Sequence, residues 1–305
     1  MLLRSKRGSV SSIGEEALIR RIRGWLGSSC PPSPRGIGDD CAVLPPTRGR
    51  GLLTVDPVIL GVHFAAGAPA RAVGAKLLKR NLSDIAAMGG RPGAAVVALA
   101  LDGRVSLRWL ARFYGGIAAE ARRWGIPVVG GDVSQMTGGF CATLALTGSA
   151  GARVLARAGA RPGDWIYVTG ILGRSLRSGH HLAFSPRLAE GRWLAGRAQV
   201  RSMIDVSDGL AKDLRALAPK GSEPAVYAEM LPLRGGASAA EALGDGEDYE
   251  LAFSVRGAGR RALEKAWRRA FPRTRLSCIG RFARRGDVPA GAITLSNHRG
   301  YEHLR

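Results

Sequence analysis

The sequence predicts a mixed α/β fold in two domains, and three observations support this prediction. The chain has 305 residues, which is enough for two hydrophobic cores. Apolar runs of strand length alternate with segments whose apolar residues recur at helical spacing. A Pro-Gly-Asp turn at residues 162–164 opens a second series of such elements. We therefore expect an N-terminal domain over residues 1–150 and a C-terminal α/β sandwich domain over residues 151–305.

The first half alternates helices and strands. Ser12 and Glu15 predict a capping box before a helix over residues 15–26, because their spacing allows each side chain to bond the other residue's backbone. Helical periodicity predicts two further helices, at 72–90 and 106–125. Apolar runs beside glycine or polar turns predict strands at 51–60, 93–102, 126–135 and 140–150.

The second half repeats this alternation. A strand is predicted in "ARPGDWIYVTG" (160–170), a helix near 188–197, and a turn followed by a helix in "IDVSDGLAKDL" (204–214). "AVYAEMLPL" (225–233) and "YELAFSV" (249–255) are predicted as a strand pair. A helix over 257–270 and a strand over 276–282 complete the half.

Composition limits the class of protein. No apolar run reaches the roughly 18 residues of a membrane helix, and the basic N-terminus lacks the apolar core of a signal peptide. The four cysteines never form a CxxC pair, so we expect reduced thiols in a cytoplasmic protein that binds no membrane. The net charge of +21 is carried mostly by arginines spread along the chain. This spread favours solvated helix faces over a specific nucleic-acid site.

Aspartates recur beside glycine or serine, mostly at predicted strand ends or in loops. Carboxylate oxygens are preferred Mg²⁺ ligands, and several bound Mg²⁺ ions could hold a triphosphate. A bound cation would also offset the repulsion between the adjacent carboxylates of Asp39 and Asp40. Any one of these aspartates could instead cap a helix or form a turn. The chain has no GxxxxGK[ST] motif, which excludes a P-loop enzyme. The residues concerned are Asp40, Asp56, Asp84, Asp132, Asp205 and Asp208.

Eight segments together resemble the thiamine-monophosphate kinase family, which belongs to the superfamily that includes aminoimidazole ribonucleotide synthetase. They occur in family order, from residue 36 to residue 303, and as an ordered set they are highly specific. The segments are "GIGDDCAVL", "TVDPVILGVHF", "NLSDIAAMGGRP", "VVGGDVS", "RAGARPGDWIYVTG", "IDVSDGL", "GEDYEL" and "GYEH".

This resemblance implies that ATP phosphorylates thiamine monophosphate to thiamine diphosphate by direct in-line transfer, with several Mg²⁺ ions. It also implies a homodimer in which the sheets of the N-terminal, ATP-binding domains pair. Asp84, Asp132 and Asp208 would be central to the transfer. By motif, the Mg²⁺ ligands would be Asp40, Thr54, Asp56, Asp84, Asp132, Asp205 and Asp208; the ATP contacts Tyr114, Gly131, Arg157 and Ser207; and the thiamine monophosphate contacts His63, Glu247 and Tyr301.

The residues leave some alternatives open. His63 alone could be a packed or capping histidine, and the adjacent pair His180 and His181 is a poor zinc site because neighbours on a strand point apart. Another ATP-using enzyme of the superfamily, such as selenide, water dikinase or the hydrogenase-maturation dehydratase, remains an alternative, although each commonly needs a cysteine at a place where this chain has none. A nonenzymatic RNA-binding protein would leave the ordered acidic motifs unexplained.

Several positions depart from the family's usual pattern. Val55 stands where a hydroxyl residue is usual, and Lys79 and Arg80 stand where small or apolar residues are usual. Asp245 replaces a common glycine. A helix that the family often carries is expected to be missing near residues 171–186. We expect the basic residues to neutralise part of the acidic site.

Overall fold

The computed structural model describes residues 2, 8–33, 35–37, 42 and 44–302. The mixed helix and sheet composition confirms the predicted α/β class. The helices of these residues, short 3-10 turns aside, are α1 (Glu15–Leu26), α2 (Ala70–Ala87), α3 (Leu107–Trp124), α4 (His180–Ala183), α5 (Leu188–Ala195), α6 (Leu210–Leu217), α7 (Ala239–Gly244) and α8 (Arg260–Ala270). The strands are β1 (Arg50–Ile59), β2 (Arg91–Leu101), β3 (Val128–Gln135), β4 (Phe140–Ala150), β5 (Trp165–Thr169), β6 (Val200–Asp205), β7 (Ser222–Val226), β8 (Leu251–Val255) and β9 (Leu276–Arg284).

The chain forms two compact units. The first comprises Met1–Leu82 and Arg91–Ser149, and the second comprises Ser83–Gly90 and Ala150–Arg305. The last turn of α2 therefore belongs to the second unit, whereas the sequence-based division at residue 150 assigned it to the first. That simple division at residue 150 stays a prediction.

The first unit is built on one sheet with the strand order β1-β4-β2-β3. Strand β2 runs parallel to β3 and antiparallel to β4. Burial alternates strictly along β4, because successive side chains point to opposite faces of the sheet. Helices α2 and α3 pack closely at Gly74 and Gly116, where an added Cβ would lie about 2 Å from a carbonyl oxygen of the other helix.

The second unit is an α/β sandwich around a sheet with the strand order β6-β8-β5-β9-β7. Ile166 and Val168 of β5 join the apolar core that α6 and α7 cover. Tyr167, between them, points to the other face and donates its hydroxyl hydrogen bond to Glu264 of α8. Helices therefore pack on both faces of this sheet.

Three local predictions are wrong. The predicted capping box of Ser12 and Glu15 does not form. The residue before α1 is Gly14, which has no side chain to cap the helix, and the Ser12 hydroxyl instead donates a hydrogen bond to the carbonyl oxygen of Ser9. The strand predicted over 225–233 ends at Val226 and passes into a 3-10 turn. Strands β7 and β8 do not pair with each other, since β7 pairs with β9 and β8 lies between β5 and β6.

Membrane insertion finds no support in the described helices, none of which has both the length and the apolar character that a membrane span requires.

Candidate functional site

The first unit contains a cavity of about 510 Å³ beside β2 and β3. Its lining includes Tyr114 and Gly131, which the resemblance assigns to ATP, and Asp132, which it assigns to Mg²⁺. Apolar side chains of α1, β2 and β3 form much of the remaining wall. A cavity of this size, with an apolar wall and a few polar groups, is typical of small-molecule sites.

Gly131 keeps β3 close to β2 at this cavity. The two residues Val97 and Gly131 are partners in the parallel ladder, and a Cβ on Gly131 would lie 2.0 Å from the carbonyl oxygen of Val97. The glycine therefore has a packing role whatever it binds. The next residue, Asp132, accepts a hydrogen bond of 2.7 Å from the Ser134 hydroxyl.

Asp56 is paired with a cation of the chain itself. Thr54 and Asp56 alternate with Val55 along β1, so Val55 points to the opposite face and is 61% exposed. The guanidinium of Arg80 donates a hydrogen bond of 3.1 Å to Asp56 Oδ1 and a second bond to the carbonyl oxygen of Pro57. The expected neutralisation by Arg80 is thus a direct ion pair.

Tyr114 and His63 are both buried in the first unit. Burial raises the pKa of the Tyr114 hydroxyl, which therefore remains protonated near neutral pH. His63 Nδ1 accepts a hydrogen bond of 3.1 Å from the backbone N–H of Ile59, and Lys76 Nζ donates one of 2.7 Å to the His63 carbonyl oxygen. His63 thus has a role in its turn, and its contact with substrate stays a prediction.

The second unit joins the last turn of α2 to the end of β6. Ser83 donates a hydrogen bond of 2.7 Å to Asp205 Oδ2. Asp84, the neighbour of Ser83, lies near the carboxyl end of α2, so it is not the N-terminal cap that was the alternative to a metal ligand. Asp84 and Asp205 therefore belong to the same part of the second unit.

The turn after β6 brings residues from three distant segments together. The carbonyl oxygen of Ser207 accepts a hydrogen bond of 2.7 Å from the Glu247 N–H. The carbonyl oxygen of Asp208 accepts one of 2.8 Å from the Tyr301 N–H. Residues predicted to bind ATP, metal and thiamine monophosphate are thus backbone neighbours at this turn.

Two residues of α6 that the sequence analysis did not single out hold the turn. Asp213 Oδ2 accepts hydrogen bonds from the N–H groups of Ser207 (3.1 Å) and Asp208 (3.2 Å). Burial, together with the nearby Asp208 carboxylate, raises the pKa of Asp213 to about 7. Lys212 Nζ donates to Asp208 Oδ2 and to the Tyr301 carbonyl oxygen, both at 2.6 Å. The sequence does contain a signal for Asp213, since it is an acidic residue in the first turn of a helix that directly follows the turn containing Asp208.

Arg157 lies exposed in the loop before β5. Asp40 lies outside the described residues. His180 and His181 belong to the four-residue α4, and their rings bond two different carbonyl oxygens, those of Asp248 and Ser175.

No metal centre is formed in this structure by the residues described. Within that part of the chain, no three Asp, Glu, His or Cys side chains gather as a metal-ion site would require. The donor chemistry of the predicted set nevertheless fits Mg²⁺, since all but one of its members are carboxylates. Two of those carboxylates, Asp56 and Asp208, are bonded to Arg80 and Lys212, so a metal ion would have to replace an internal cation there.

Known proteins are similar to this chain in sequence and in fold. Residues 38–150 match the family model of the AIR synthase related protein, N-terminal domain. Thiamine-monophosphate kinase from Salmonella typhimurium strain LT2 is 33% identical, in an alignment that covers 95% of this chain and 98% of the relative. The chain belongs to the thiamine-monophosphate kinase family.

Solved structures extend the likeness to three dimensions. The crystal structure of thiamine-monophosphate kinase from Stenotrophomonas maltophilia K279a matches with a TM-score of 0.74 at 32% identity, over 89% of this chain and 95% of that one. The structure of AaThiL complexed with AMPPCP and TMP matches with a TM-score of 0.68 at 29% identity, over 90% of this chain and 92% of that one.

Proposed function

We propose that this chain phosphorylates thiamine monophosphate with ATP, giving thiamine diphosphate and ADP. The observation that carries the proposal is the family match along 95% of the chain. The likeness to a structure that holds AMPPCP and TMP supports ATP and thiamine monophosphate as the substrates. The meeting of Ser207, Asp208, Glu247 and Tyr301 at one turn is consistent with a site where two substrates face each other.

The reaction needs positioning more than a covalent catalyst. An oxygen of the acceptor phosphate forms a bond to the γ-phosphorus of ATP, while the bond from that phosphorus to the bridging oxygen breaks and ADP leaves. The acceptor phosphate is already largely ionised near neutral pH, so the chain does not have to supply a strong base.

The second unit supplies Glu247 and Tyr301 for the thiamine end, and His63 of the first unit is the third residue proposed to contact thiamine monophosphate. The Glu247 carboxylate would face the thiazolium cation or bond the aminopyrimidine, and the ring of Tyr301 would stack on a flat cationic ligand. In the first unit, the cavity beside Gly131 and Tyr114 would take part of ATP. The guanidinium of Arg157, a residue of the second unit, would bind phosphate in its planar fork.

We further propose Mg²⁺ as the cofactor and a homodimer as the assembly. Asp40, Asp56, Asp84, Asp132, Asp205 and Asp208, with Thr54, would hold the metal ions. When bound, Mg²⁺ would neutralise charge on the phosphate oxygens and so lower the repulsion between donor and acceptor. Arg80 and Lys212 balance part of the carboxylate charge when metal is absent.

The test is product formation by the purified chain with ATP, Mg²⁺ and either thiamine monophosphate or thiamine. Mass spectrometry should detect thiamine diphosphate and ADP in equal amounts, with far slower use of thiamine. Chelation with EDTA should stop turnover and added Mg²⁺ should restore it. Equal use of the two acceptors, or no turnover by well-folded protein, would contradict the proposal.

A pair of variants tests the turn after β6 in the same assay. Asp208→Asn should lower kcat/KM on the order of a hundredfold, because a metal-binding carboxylate is weakened. Asp287→Asn removes a carboxylate from an exposed position elsewhere in the second unit and should retain activity. A fully active Asp208→Asn variant would exclude a metal role for that residue.

A further inference from the structure

Residues 173–184 are here called the bracing segment, and residues 245–249, which include the start of the "GEDYEL" segment, are called the motif. The bracing segment contacts the motif along the length of the motif. The contacts begin at Asp245, whose Oδ2 accepts a hydrogen bond of 2.7 Å from the N–H of Arg174. The next residue, Gly246, accepts one of 2.6 Å at its carbonyl oxygen from the Ser175 hydroxyl. Asp245, an acid where the family commonly has a glycine, thus bonds the bracing segment.

The contacts continue through the second half of the motif. The buried carboxylate of Asp248 accepts a hydrogen bond of 3.0 Å from the N–H of Gly173. The backbone carbonyl oxygen of Asp248 lies 3.0 Å from His180 Nε2. The ring of Phe184 stacks on that of Tyr249, with the ring centroids 4.0 Å apart and the planes inclined by 20°. Asp245, Gly246, Asp248 and Tyr249 are therefore all contacted directly by the bracing segment.

Glu247, the residue between these contacts, is held by Tyr249. The Tyr249 hydroxyl donates a hydrogen bond of 3.3 Å to Glu247 Oε1. Tyr249 is only 3% exposed, so its ring cannot move without disturbing the stack on Phe184. The orientation of the Glu247 carboxylate thus depends on how the Tyr249 ring packs against Phe184.

The backbone of the motif is strained at the same place. Glu247 and Tyr249 have φ values of 55° and 51°, in the left-handed region that side-chain-bearing residues seldom adopt. Such a conformation is unfavourable for a residue with a side chain, and it persists only where surrounding contacts enforce it. The bracing segment supplies those contacts, while Ser207 receives the Glu247 N–H on the other side.

We propose that the bracing segment positions Glu247 for the thiamine end of the substrate, with Tyr249 and Phe184 as its positioning residues. This inference rests on the proposed function, in which the Glu247 carboxylate binds the cationic or aminopyrimidine part of thiamine monophosphate. The stacked ring keeps the Tyr249 hydroxyl beside Oε1, so the carboxylate is oriented before substrate arrives. The effect should therefore concern thiamine monophosphate and not ATP.

The first test is Tyr249→Phe, which removes the hydroxyl and keeps the ring stack. Its KM for thiamine monophosphate should rise roughly tenfold, as expected for the loss of a hydrogen bond to a carboxylate. Its KM for ATP and its kcat should change less than about twofold, because transfer chemistry and nucleotide contacts are untouched. Isothermal titration calorimetry of thiamine monophosphate should show the same loss of affinity.

Tyr167→Phe is the matched control. Tyr167 is another buried tyrosine of the second unit, and its hydroxyl likewise donates to a glutamate, Glu264. Loss of that bond should lower the melting temperature without raising the KM for thiamine monophosphate. If both variants raise that KM equally, or if Tyr249→Phe leaves it unchanged, the inference is overturned.

A second pair of variants tests the stack. Phe184→Leu keeps most of the buried volume but removes the aromatic face, and Phe184→Ala also removes volume. Both should raise the KM for thiamine monophosphate selectively, with the larger rise for Phe184→Ala. If Phe184→Ala fails to fold, Phe184→Leu alone decides this arm, and an unchanged KM in that variant contradicts the inference.

The calorimetry separates this inference from the proposed function. A wild-type chain that binds thiamine monophosphate without turning it over would overturn only the proposed function, and the binding arm would still decide the role of Tyr249. A wild-type chain that neither binds nor phosphorylates thiamine monophosphate would overturn both.

Discussion

Lys79 lies almost fully buried in α2, with 4% of its surface exposed. Burial is the main cause that lowers the pKa of its ammonium group to about 8, and the neighbouring Arg123 and Lys76 act in the same direction against Glu120. At neutral pH the folded chain therefore bears a buried charge that the unfolded chain would leave in water. Lys79 is thus a source of instability in the helix that carries Asp84.

Replacing Lys79 by methionine should raise the free energy of unfolding at pH 7 on the order of 2 kcal/mol. The unfolded chain keeps this proton up to a pKa near 10.5, whereas the folded chain releases it near 8. The wild type therefore gains stability between about pH 8 and pH 10.5 through this group, and the advantage of Lys79→Met should shrink over that window. Denaturant unfolding at several pH values measures the difference.

Lys265→Met is the control, since Lys265 lies exposed on α8. Its stability difference from the wild type should be small and should not change with pH in this way. A Lys79→Met difference that stays constant from pH 7 to pH 10 would show that the buried charge is not what destabilises the wild type.

At the scale of elements, the approach of β3 to β2 decides whether the cavity of the first unit can exist. Gly131→Ala would place a Cβ 2.0 Å from the Val97 carbonyl oxygen, so β3 would have to move. We expect a loss of about 3 kcal/mol of stability and weakened binding of an ATP analogue. Denaturant unfolding and calorimetric titration measure the two effects.

Gly130→Ala provides the comparison one residue earlier on the same strand. An added Cβ there would meet only the Val96 Cγ1 at 3.4 Å, an ordinary contact. This variant should change stability by less than about 1 kcal/mol. Equal losses from both substitutions would refute the argument that Gly131 sets the strand spacing.

Patterns within one element could be predicted from the sequence, and relations between elements mostly could not. The alternation along β4 and the helical periodicity of α3 are local, so their bounds were nearly right. The apolar pattern in residues 225–233 wrongly predicted one continuous strand. The pairing of β7 with β9 ends at Val226, and the chain then forms a turn in which the Met230 N–H donates to the Tyr227 carbonyl oxygen.

The candidate site shows the same limit. The motifs identified Ser207, Asp208, Glu247 and Tyr301, but no spacing in the sequence predicts that their backbones bond each other. The contact between Tyr249 and Phe184 likewise depends on how the bracing segment folds back on residues 245–249. The positive charge of Arg80 suggested neutralisation, whereas the choice of Asp56 as its partner follows from the placement of α2 beside β1.

At the scale of the whole molecule, the sheet of the first unit leaves apolar side chains on an open face. Leu53 and Val55 of β1 are 76% and 61% exposed, and Val96 of β2 is 39% exposed. Among the described residues, strand β1 also lies at an edge of that sheet. Exposed apolar groups and a sheet edge both favour association with a second chain, and the commonest arrangement of two copies is a closed twofold dimer.

We therefore predict a homodimer that contacts through β1, and the variant Leu53→Glu tests that surface. The wild type at micromolar concentration should give twice the mass of one chain by light scattering. Leu53→Glu should give the mass of one chain, because a carboxylate would be buried without a partner in the contact.

Leu176→Glu is the matched control, since Leu176 is a similarly exposed leucine (58%) of the second unit and its substitution should leave the dimer intact. A monomeric wild type would refute the dimer itself. A dimeric Leu53→Glu variant would refute only the assignment of the contact to β1, because replacing leucine by glutamate should leave the dimer intact wherever that leucine faces water.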